Sequence, residues 1–500
     1  MFSARARLTA IDWDAYARLR SFRGLPGRFE YRRTRHRRHL CDLRILPNIA
    51  FKSARVVALT GLASLVGRKQ VALPSVPLLP SDPQEAPPIN CFAARSQELA
   101  GEIVEDLQRA YFTAPWLGDL TITTLDRIGG LARIIDGITA GAGTFFGGDG
   151  RRNLPDDSTD AFWYMVEMFG YASGYFRAGR IHLQPIFADG RLVDNTTAIH
   201  RFSAPADLSE ALLDIDDMYY STGLGAPVKV VRVGDASGLL SKGVQRARVQ
   251  LGRLVGEGLD RLSEGIGTLE GSARAAEFSE QLAREAPAPP RWIVLLPGTD
   301  HFNFSTTSNP ADPQTNLREI RGSRSAMGAG VNRVIAEAMR AAGVTDLSAE
   351  KVLMVGHSQG AMVAMNLAAD PEVPYRIEGV VSAGGPIGRY PVPDGIPVLA
   401  LRHRQDMMPL FGGTLGERDP RIAVFERSLA APESAMLYYS HMSSTYAETA
   451  KLAAEYASFA SASKVAAALR EIESFFPRKG GLLSEPTRVF VYQIVQEVRQ

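Results

Sequence analysis

The stretch KVLMVGHSQGAMVAMNLAA, residues 351–369, carries the strongest fold signal in the chain. After Lys351, residues 352–355 form an apolar run typical of a buried strand, and residues 361–369 have the apolar, alanine-rich composition of a buried helix. Between them lies Gly356-His357-Ser358-Gln359-Gly360, a G-x-S-x-G pentapeptide. A strand that enters such a pentapeptide and a helix that leaves it are typical of a nucleophile elbow, so Ser358 is the candidate nucleophile.

The two glycines of the pentapeptide have a steric reason. A turn this tight strains the serine backbone, and side chains at positions 356 and 360 would collide within it. The turn would expose the Ser358 hydroxyl above the sheet. It would also put the N–H of Gln359 at a helix start, where it can stabilise a developing negative charge. Gln359 is therefore a candidate donor to an oxyanion.

Strands and helices alternate on both sides of this turn. Apolar runs predict strands at 180–187, 228–233, 292–297, 351–355, 378–384, 397–403, 436–441 and 487–495. Helices are predicted between them, including one across about 315–342 and a long alanine-rich one across about 444–476. Strands that are apolar on both faces and alternate with helices imply an α/β fold, with a mostly parallel sheet flanked by helices.

The chain of 500 residues is long enough for two to four structural units, and composition divides it into three regions. Residues 1–90 form a basic, proline-punctuated leader that we expect to be poorly ordered. Residues 91–195 form a mainly helical region, and residues 196–500 form the α/β domain. A helical insertion at about 236–285 separates two strands that a short hairpin would otherwise join. Its apolar stripe fits either a lid or membrane-contact helix, or packing on the protein's own surface.

The formal net charge of +2 conceals an asymmetry between the leader and the rest of the chain. Residues 1–70 hold 16 Lys and Arg against 4 Asp and Glu, and the run YRRTRHRRHL at 31–40 holds five of those arginines. Such a run can bind nucleic acid or anionic lipid, or it can be a solvated tail. Because no nucleic-acid-binding motif accompanies it, we expect no nucleic-acid partner, and peripheral membrane contact stays open.

The apolar runs of the sequence are too short to span a bilayer, which needs about 18–20 residues. The nearest one, residues 56–67, is 12 residues long, lies far from the N-terminus and is followed by Arg68 and Lys69. It predicts neither a membrane span nor a signal peptide. The two cysteines, Cys41 and Cys91, cannot form a disulfide framework in a chain this long. These features favour a cytoplasmic location.

A serine hydroxyl needs a base to become a nucleophile, and histidine is the expected one. Only His403 and His441 follow Ser358 in the chain. His403 ends a predicted strand before any well-placed acid, whereas His441 closes the strand predicted at 436–441, where the loop that leads into the final helix opens, so His441 is the predicted base. For the acid we favour Asp406, which comes three residues after the strand at 397–403, at its carboxyl end. The alternatives are Asp370, Asp394, Glu417 and Asp419.

A second oxyanion donor is expected beside the N–H of Gln359. The strand at 292–297 ends in the turn Pro297-Gly298-Thr299-Asp300. Gly298 permits a close backbone approach, and Thr299 offers an N–H and a hydroxyl, so both are candidates for the oxyanion hole. His301 lies beside this turn and either lines the pocket or faces the surface. The Cys and His residues lack zinc-site spacing and no phosphate-binding loop is present, so neither a metal nor another cofactor is predicted.

In the order of these features the sequence resembles the α/β-hydrolase superfamily: LPGT at 296–299, GHSQG at 356–360, then the Asp406 loop and the His441 loop. GHSQGAMVA is similar to the elbow of cutinases and small lipases. Residues 200–480, which the resemblance covers, look most like actinobacterial α/β hydrolases. Only one predicted helix separates the strands at 292–297 and 351–355, where the superfamily has helix, strand and helix. The resemblance therefore implies a reduced sheet of the cutinase or lipase kind.

The sequence thus predicts a serine hydrolase that cleaves carboxylic esters, with Ser358, His441 and Asp406 as its triad. Small-molecule or lipid esters are the expected substrates, and amides or thioesters would use the same three residues. The alternative is a hydrolase core that has lost catalysis and serves as an interaction or membrane-surface protein. The oligomeric state is left open.

Overall fold

One nine-stranded sheet runs through the part of the chain that the computed structural model describes. The described residues are 51–55, 58, 116–145, 154, 157–172, 176, 180–188, 191–192, 202–219, 225–234, 289–300, 308–412, 421–429, 439–477 and 485–497. The strands are β1 (Ile181–Ala188), β2 (Arg191–Leu192), β3 (Ala226–Val233), β4 (Arg291–Leu296), β5 (Lys351–His357), β6 (Arg376–Ala383), β7 (Val398–His403), β8 (Ile422–Arg427) and β9 (Thr487–Gln496). The helices named below are α1 (Trp116–Phe145), α2 (Ser158–Ala172), α3 (Leu208–Met218), α4 (Pro313–Ile320), α5 (Ala326–Ala341), α6 (Gln359–Ala369), α7 (Ser443–Phe459) and α8 (Lys464–Glu473).

The sheet is mixed, with the strand order β2-β1-β9-β3-β4-β5-β6-β7-β8. The predicted parallel pairing is confirmed from β4 to β8. The other four pairs, β1 with β2 and β9 and β3 with β4 and β9, are antiparallel. The antiparallel β3–β4 pair is the arrangement expected of two strands that a hairpin would join, and the insertion predicted at 236–285 lies outside the described residues.

The sheet crosses the boundary expected at residue 195. Strand β1 precedes that boundary, yet it pairs with β9 near the end of the chain, beginning with Ile181 opposite Gln496. Helix α2, also before the boundary, packs on α4. Its Glu167 is buried and forms ion pairs with Arg318 and Arg321. Residues of the expected N-terminal helical region therefore share their core with the α/β part.

The strand predicted at 436–441 is wrong for the residues of it that the structure describes. Residues 439–441 of the strand expected at 436–441 form a 3-10 turn, and residues 436–438 lie outside the described part. The last parallel strand is β8, a short edge strand that pairs with β7 alone. It has only six residues and ends in the charged pair Glu426 and Arg427, which shortens the apolar pattern on which the prediction relied.

Two predicted helices are each broken in two. The helix expected across 315–342 ends after α4, where Gly322 has a φ of 66° and its N–H bonds the carbonyl of Glu319. Ser325 then caps α5 by accepting a hydrogen bond from the N–H of Gly328. The helix expected across 444–476 is divided into α7 and α8, and Ser463 caps the second of them. A glycine with positive φ commonly ends a helix, and a serine N-cap commonly begins one. The prediction followed the continuous apolar spacing through these positions and so joined the helices.

Side chains of the central strands alternate between two apolar layers, one on each face of the sheet. In β4, Trp292, Val294 and Leu296 pack on the α5 and α6 side, whereas Ile293 and Leu295 pack on the α3, α7 and α8 side. All five are fully buried. The prediction of a sheet covered by helices on both faces is therefore confirmed.

Helix α1 differs from the core helices in its exposure. Ile128, Leu131, Ile134, Ile135 and Ile138 are each 45–66% exposed. No helix among the described residues is both long and apolar enough to cross a membrane.

Helix α3 is tied to the sheet by a buried ion pair. Lys229 Nζ on β3 lies 2.6 Å from Asp214 Oδ2 on α3, and it also donates to the carbonyl of Ser203 at 2.6 Å. The two side chains are 1% and 4% exposed. A buried pair contributes little net stability, but a lone buried charge is costly.

We expect Lys229→Met to lower the free energy of unfolding by about 3 kcal/mol, because it leaves the Asp214 carboxylate buried without its cation. Urea unfolding followed by circular dichroism measures this change. Lys451→Met is the matched control, since Lys451 is 54% exposed and pairs with Glu448 on the surface of α7. A surface pair contributes about 0–1 kcal/mol, so equal losses in both variants would contradict the assignment.

Candidate active site

Ser358 lies in the sharp turn between β5 and α6. Its φ of 53° and ψ of −118° make it the one residue other than glycine with a positive φ in the described part of the chain. Such a conformation costs about 1–3 kcal/mol and persists only when the surroundings impose it. The side chain is half-buried at the carboxyl end of β5. The turn predicted from the pentapeptide is therefore present, with the strain that motivated its glycines.

The two glycines of the pentapeptide lie against backbone atoms. A Cβ on Gly356 would collide with Gly360 and with the N–H of Ala361. A Cβ on Gly360 would collide with the carbonyl groups of Leu296 and Pro297, at the end of β4. The turn is thus held between its own helix and the neighbouring strand.

The structure brings the three predicted residues together in one hydrogen-bonded chain. His441 Nε2 lies 2.8 Å from Ser358 Oγ, and His441 Nδ1 lies 2.7 Å from Asp406 Oδ2. A carboxylate only accepts, so the Nδ1–H donates to Asp406, and in the neutral form of the ring the Nε2 lone pair faces the serine hydroxyl. His441 is 8% exposed and Asp406 2% exposed. This geometry suits proton transfer from Ser358 to His441.

The Asp406 carboxylate is held by two further donors. The Tyr446 hydroxyl donates to Oδ2 at 2.7 Å, and the N–H of Met408 donates to Oδ1 at 3.0 Å. Burial, together with the charge of Asp406, raises the pKa of Tyr446 well above its ordinary value, so this hydroxyl keeps its proton. Tyr446 is not among the site residues predicted from the sequence. Its only signal is its place five residues after His441, at the start of α7.

His403, the other histidine after Ser358, is built into the core. Its Nδ1 lies 2.6 Å from the carbonyl oxygen of Ser440 and its Nε2 lies 2.7 Å from Thr449 Oγ1. Its ring stacks on Tyr446 with centroids 3.8 Å apart. Burial lowers the pKa of His403 to about 3, so the ring is neutral. Its stacking contact helps to hold the Tyr446 ring in place.

The alternative acids lie away from the hydrogen-bonded side chains of Ser358, His441 and Asp406, or outside the described residues. Asp370 pairs with Arg324 at the far end of α6, and Asp394 is 99% exposed beside Arg421. Glu417 and Asp419 lie outside the described residues, as does His301. Among the alternatives that the structure describes, none contacts His441.

The three residues predicted for the oxyanion hole have different environments. The N–H of Gly298 donates to the hydroxyl of Tyr219, so it is engaged in this structure. Gly298 permits the close backbone approach expected from the sequence, since a Cβ there would collide with Tyr219 and Ser358. Thr299 uses its hydroxyl as an acceptor for Asn316 Nδ2 at 2.8 Å. The N–H groups of Thr299 and Gln359 remain as the candidate donors.

The Gln359 side chain fixes the geometry behind these N–H groups. Its Nε2 donates to Asn316 Oδ1 at 2.8 Å and to the Asp312 carbonyl at 2.9 Å. Asn316 and Asp312 belong to the start of α4, so the amide ties the elbow to the segment that follows β4. Because Gln359 is the first residue of α6, its N–H has no acceptor within the helix.

Metal chemistry has no evident ligand set here: within the described residues, no group of three or more His, Cys, Asp or Glu side chains could hold a metal ion. The prediction that no cofactor is needed stays a prediction.

Comparisons with protein-family models, with curated proteins and with solved structures find no match to this chain. The resemblance to α/β hydrolases therefore stays an expectation from short motifs.

We expect Gly360→Ala to lower the free energy of unfolding by about 3 kcal/mol or more, because the new methyl group meets backbone that cannot move aside cheaply. Chemical denaturation gives the change. Gly141→Ala on α1 is the control, since a Cβ there has no atom within 4 Å among the described residues. That variant should be unchanged or up to about 1 kcal/mol more stable. If the two variants unfold alike, the proposed crowding at the elbow is wrong.

A buried carboxyl near the elbow predicts a pH dependence of stability. Burial raises the pKa of Asp312 to about 7, although its side chain accepts a hydrogen bond from the N–H of Thr315 at 2.8 Å. In the unfolded chain an aspartate titrates near pH 4, so the folded state binds the extra proton between about pH 4 and 7. Stability is therefore lost as the pH rises through this window.

Asp312→Asn keeps the capping oxygen and removes the titration, so its unfolding free energy should fall less between pH 5 and pH 8 than that of the parent. Burial also raises the pKa of Glu319 to about 7, and this carboxyl leaves a residual slope in both proteins. Thermal unfolding at several pH values measures the slopes. Exposed Asp394→Asn should keep the parental slope, and a parental slope in Asp312→Asn would contradict the prediction.

Proposed function

We propose that this protein is a serine hydrolase that cleaves carboxylic esters through an acyl-enzyme intermediate. The observation that carries the proposal is the Ser358–His441–Asp406 chain, with contacts of 2.8 and 2.7 Å. Ser358 occupies the strained turn that exposes its hydroxyl, which adds a second and independent support.

In the first half of the reaction, Ser358 Oγ attacks the ester carbonyl carbon while His441 Nε2 takes the hydroxyl proton. A bond forms between Oγ and carbon, and the carbonyl electron pair moves to the oxygen. The N–H groups of Gln359 and Thr299 stabilise this oxyanion. The carbon–oxygen bond to the leaving alcohol then breaks, and His441 gives the alcohol its proton.

In the second half, water replaces the alcohol. His441 takes a proton from the water, the hydroxide oxygen attacks the acyl carbon, and the Ser358 ester bond breaks. The proton returns to Ser358, which releases the carboxylic acid and restores the enzyme. Asp406 holds the His441 ring in one tautomer and stabilises its cationic form, while the Tyr446 hydroxyl fixes the Asp406 carboxylate.

The same proposal includes the α/β-hydrolase fold. Parallel strands β4 to β8 run in sequence order, preceded by the antiparallel β3. The nucleophile follows β5, the acid follows β7 and the base follows β8, which is the chain order serine, acid, histidine of that fold. No strand intervenes between β4 and β5 in the described sheet, in keeping with the reduced sheet expected from the resemblance.

The three side chains restrict the type of reaction more than they restrict the substrate. Amides and thioesters could be cleaved by the same three residues, and lipid esters were expected partly from the amphipathic insertion, which lies outside the described residues. A core that has lost catalysis would be expected to lack part of this machinery. The intact chain of three side chains therefore favours an enzyme over an interaction or membrane-surface protein.

We expect an alkyl fluorophosphonate to label the parent protein covalently and Ser358→Ala to take up no label. The same substitution should lower kcat for p-nitrophenyl esters by about 10³-fold or more, because no other group replaces the nucleophile. Mass spectrometry of the labelled peptide and a series of acyl chain lengths complete the measurement, and the series ranks short against lipid-like esters.

Ser458→Ala on α7 is the control, since that hydroxyl only caps the carbonyl of Glu455 on an exposed helix face. It should label like the parent. Labelling that persists in Ser358→Ala would refute the nucleophile, and a folded parent that takes up no label would favour the non-catalytic alternative.

A further inference from the structure

A second hydrogen-bonded chain lies behind the proposed site and connects its two halves. It begins at the N–H of Gly298, which donates to the hydroxyl of Tyr219. The Tyr219 oxygen lies 2.6 Å from His357 Nδ1, and His357 Nε2 lies 2.6 Å from the carbonyl oxygen of His441. The chain therefore runs from the turn that holds the oxyanion donors to the backbone of the base.

The direction of every proton in this chain follows from its two ends. A carbonyl oxygen can only accept, so His357 Nε2 carries a hydrogen and donates it to His441. Burial, helped by the neighbouring His441, lowers the pKa of His357 well below its ordinary value, so the ring is neutral and its Nδ1 is an acceptor. Tyr219 must then donate its hydroxyl proton to Nδ1, which leaves its lone pairs for the N–H of Gly298.

The Tyr219 end of the chain is firmly anchored. Tyr219 caps the C-terminus of α3, and this helix also holds the start of α7, directly after His441. The Leu212 carbonyl accepts from Ser443 Oγ at 2.8 Å, and Asp216 Oδ1 accepts from the N–H of Ser444 at 3.0 Å. The buried Lys229–Asp214 pair ties α3 to β3. Helix α3 thus provides a rigid support for Tyr219 and the base loop.

We propose that Tyr219 and His357 are positioning residues of the active site, whose shared hydrogen bonds hold the Gly298-Thr299 turn and the His441 backbone at a fixed separation around Ser358. This inference rests on the proposed hydrolase function. Neither side chain touches the reacting atoms. Tyr219 acts on the oxyanion side through Gly298, and His357 acts on the base side through the His441 carbonyl.

The reason to expect a kinetic effect is geometric. Gly298 directly precedes Thr299 in the chain. If the Gly298 N–H loses its hydrogen bond to Tyr219, the backbone there can rotate and turn the N–H of Thr299 away from the oxyanion. A freed His441 carbonyl likewise lets its imidazole move away from Ser358 Oγ. A misplacement of about 1 Å can cost on the order of 10²-fold in rate. Because neither side chain touches the reacting atoms, KM for the ester should change less than kcat.

Tyr219→Phe tests this directly, because it removes one oxygen and keeps the ring that packs edge-on against His357, with centroids 5.7 Å apart. We expect a loss of roughly 10- to 100-fold in kcat and in the rate of fluorophosphonate labelling, with KM for the ester nearly unchanged. Tyr375→Phe is the matched control. Its hydroxyl is buried at the opposite end of the sheet, beside the start of β6, without a hydrogen-bond partner among the described residues.

His357→Phe and the double variant separate a coupled chain from two independent contacts. If Tyr219 acts through His357 and Gly298 together, the double variant should lose less than the product of the two single losses. Losses that multiply fully would show that the two residues act separately and would overturn the shared role.

Nitrogen-15 spectra of histidine-labelled protein give a readout that does not depend on turnover. His357, assigned by its absence in His357→Phe, should appear as the neutral Nε2–H tautomer in both the parent and Ser358→Ala. An Nδ1–H tautomer would overturn the chain of hydrogen bonds.

The outcomes distinguish the two proposals. If the parent takes up no fluorophosphonate, the hydrolase function fails and this inference falls with it. If the parent is labelled at Ser358 and Tyr219→Phe matches Tyr375→Phe in kcat, the hydrolase stands and the positioning role is wrong. A selective loss of kcat in Tyr219→Phe, with the expected tautomer, supports both.

Discussion

The tight turn at Ser358 is the constraint on which the rest of the site depends. Its backbone has a positive φ, which is a strained conformation for serine. Packing contacts on both sides of the turn hold it there. Gly356 lies against the first turn of α6, and Gly360 lies against the carbonyl groups that end β4. Because no side chain separates these segments, the serine, its helix N-terminus and the Gly298 turn are held within a few ångströms of one another.

The parallel half of the sheet then brings in the remaining groups. Strands β4, β5, β7 and β8 point the same way, so the segments that follow them emerge at one edge. Gly298, Ser358, Asp406 and His441 each follow one of these strands. The antiparallel strands β3 and β9 extend the sheet on the other side. Lys229 on β3 holds α3 against the sheet through its ion pair with Asp214. The geometry of the candidate site and the packing of the core therefore come from the same strand order.

Several buried groups near this edge are kept neutral by their surroundings. Burial holds His357 and His403 in their uncharged forms and keeps the hydroxyls of Tyr219 and Tyr446 protonated. Each can then act as a donor or acceptor of fixed sense. The two tyrosines donate to groups on either side of His441: Tyr446 to the carboxylate that orients its ring, and Tyr219 to the histidine that holds its backbone.

The sequence by itself determined what is local. A strand-to-helix pentapeptide, an acid after a strand and a histidine in a loop are short patterns, and they sufficed to select Ser358, Asp406 and His441. The tertiary structure alone decided what joins distant segments. It added the parallel strand β8, which the apolar pattern did not predict, and it engaged the N–H of Gly298 with Tyr219, a residue 79 positions away. The physical reason is that sterics within a turn act between neighbours in the chain, whereas strand pairing and buried hydrogen bonds join residues that only folding brings together.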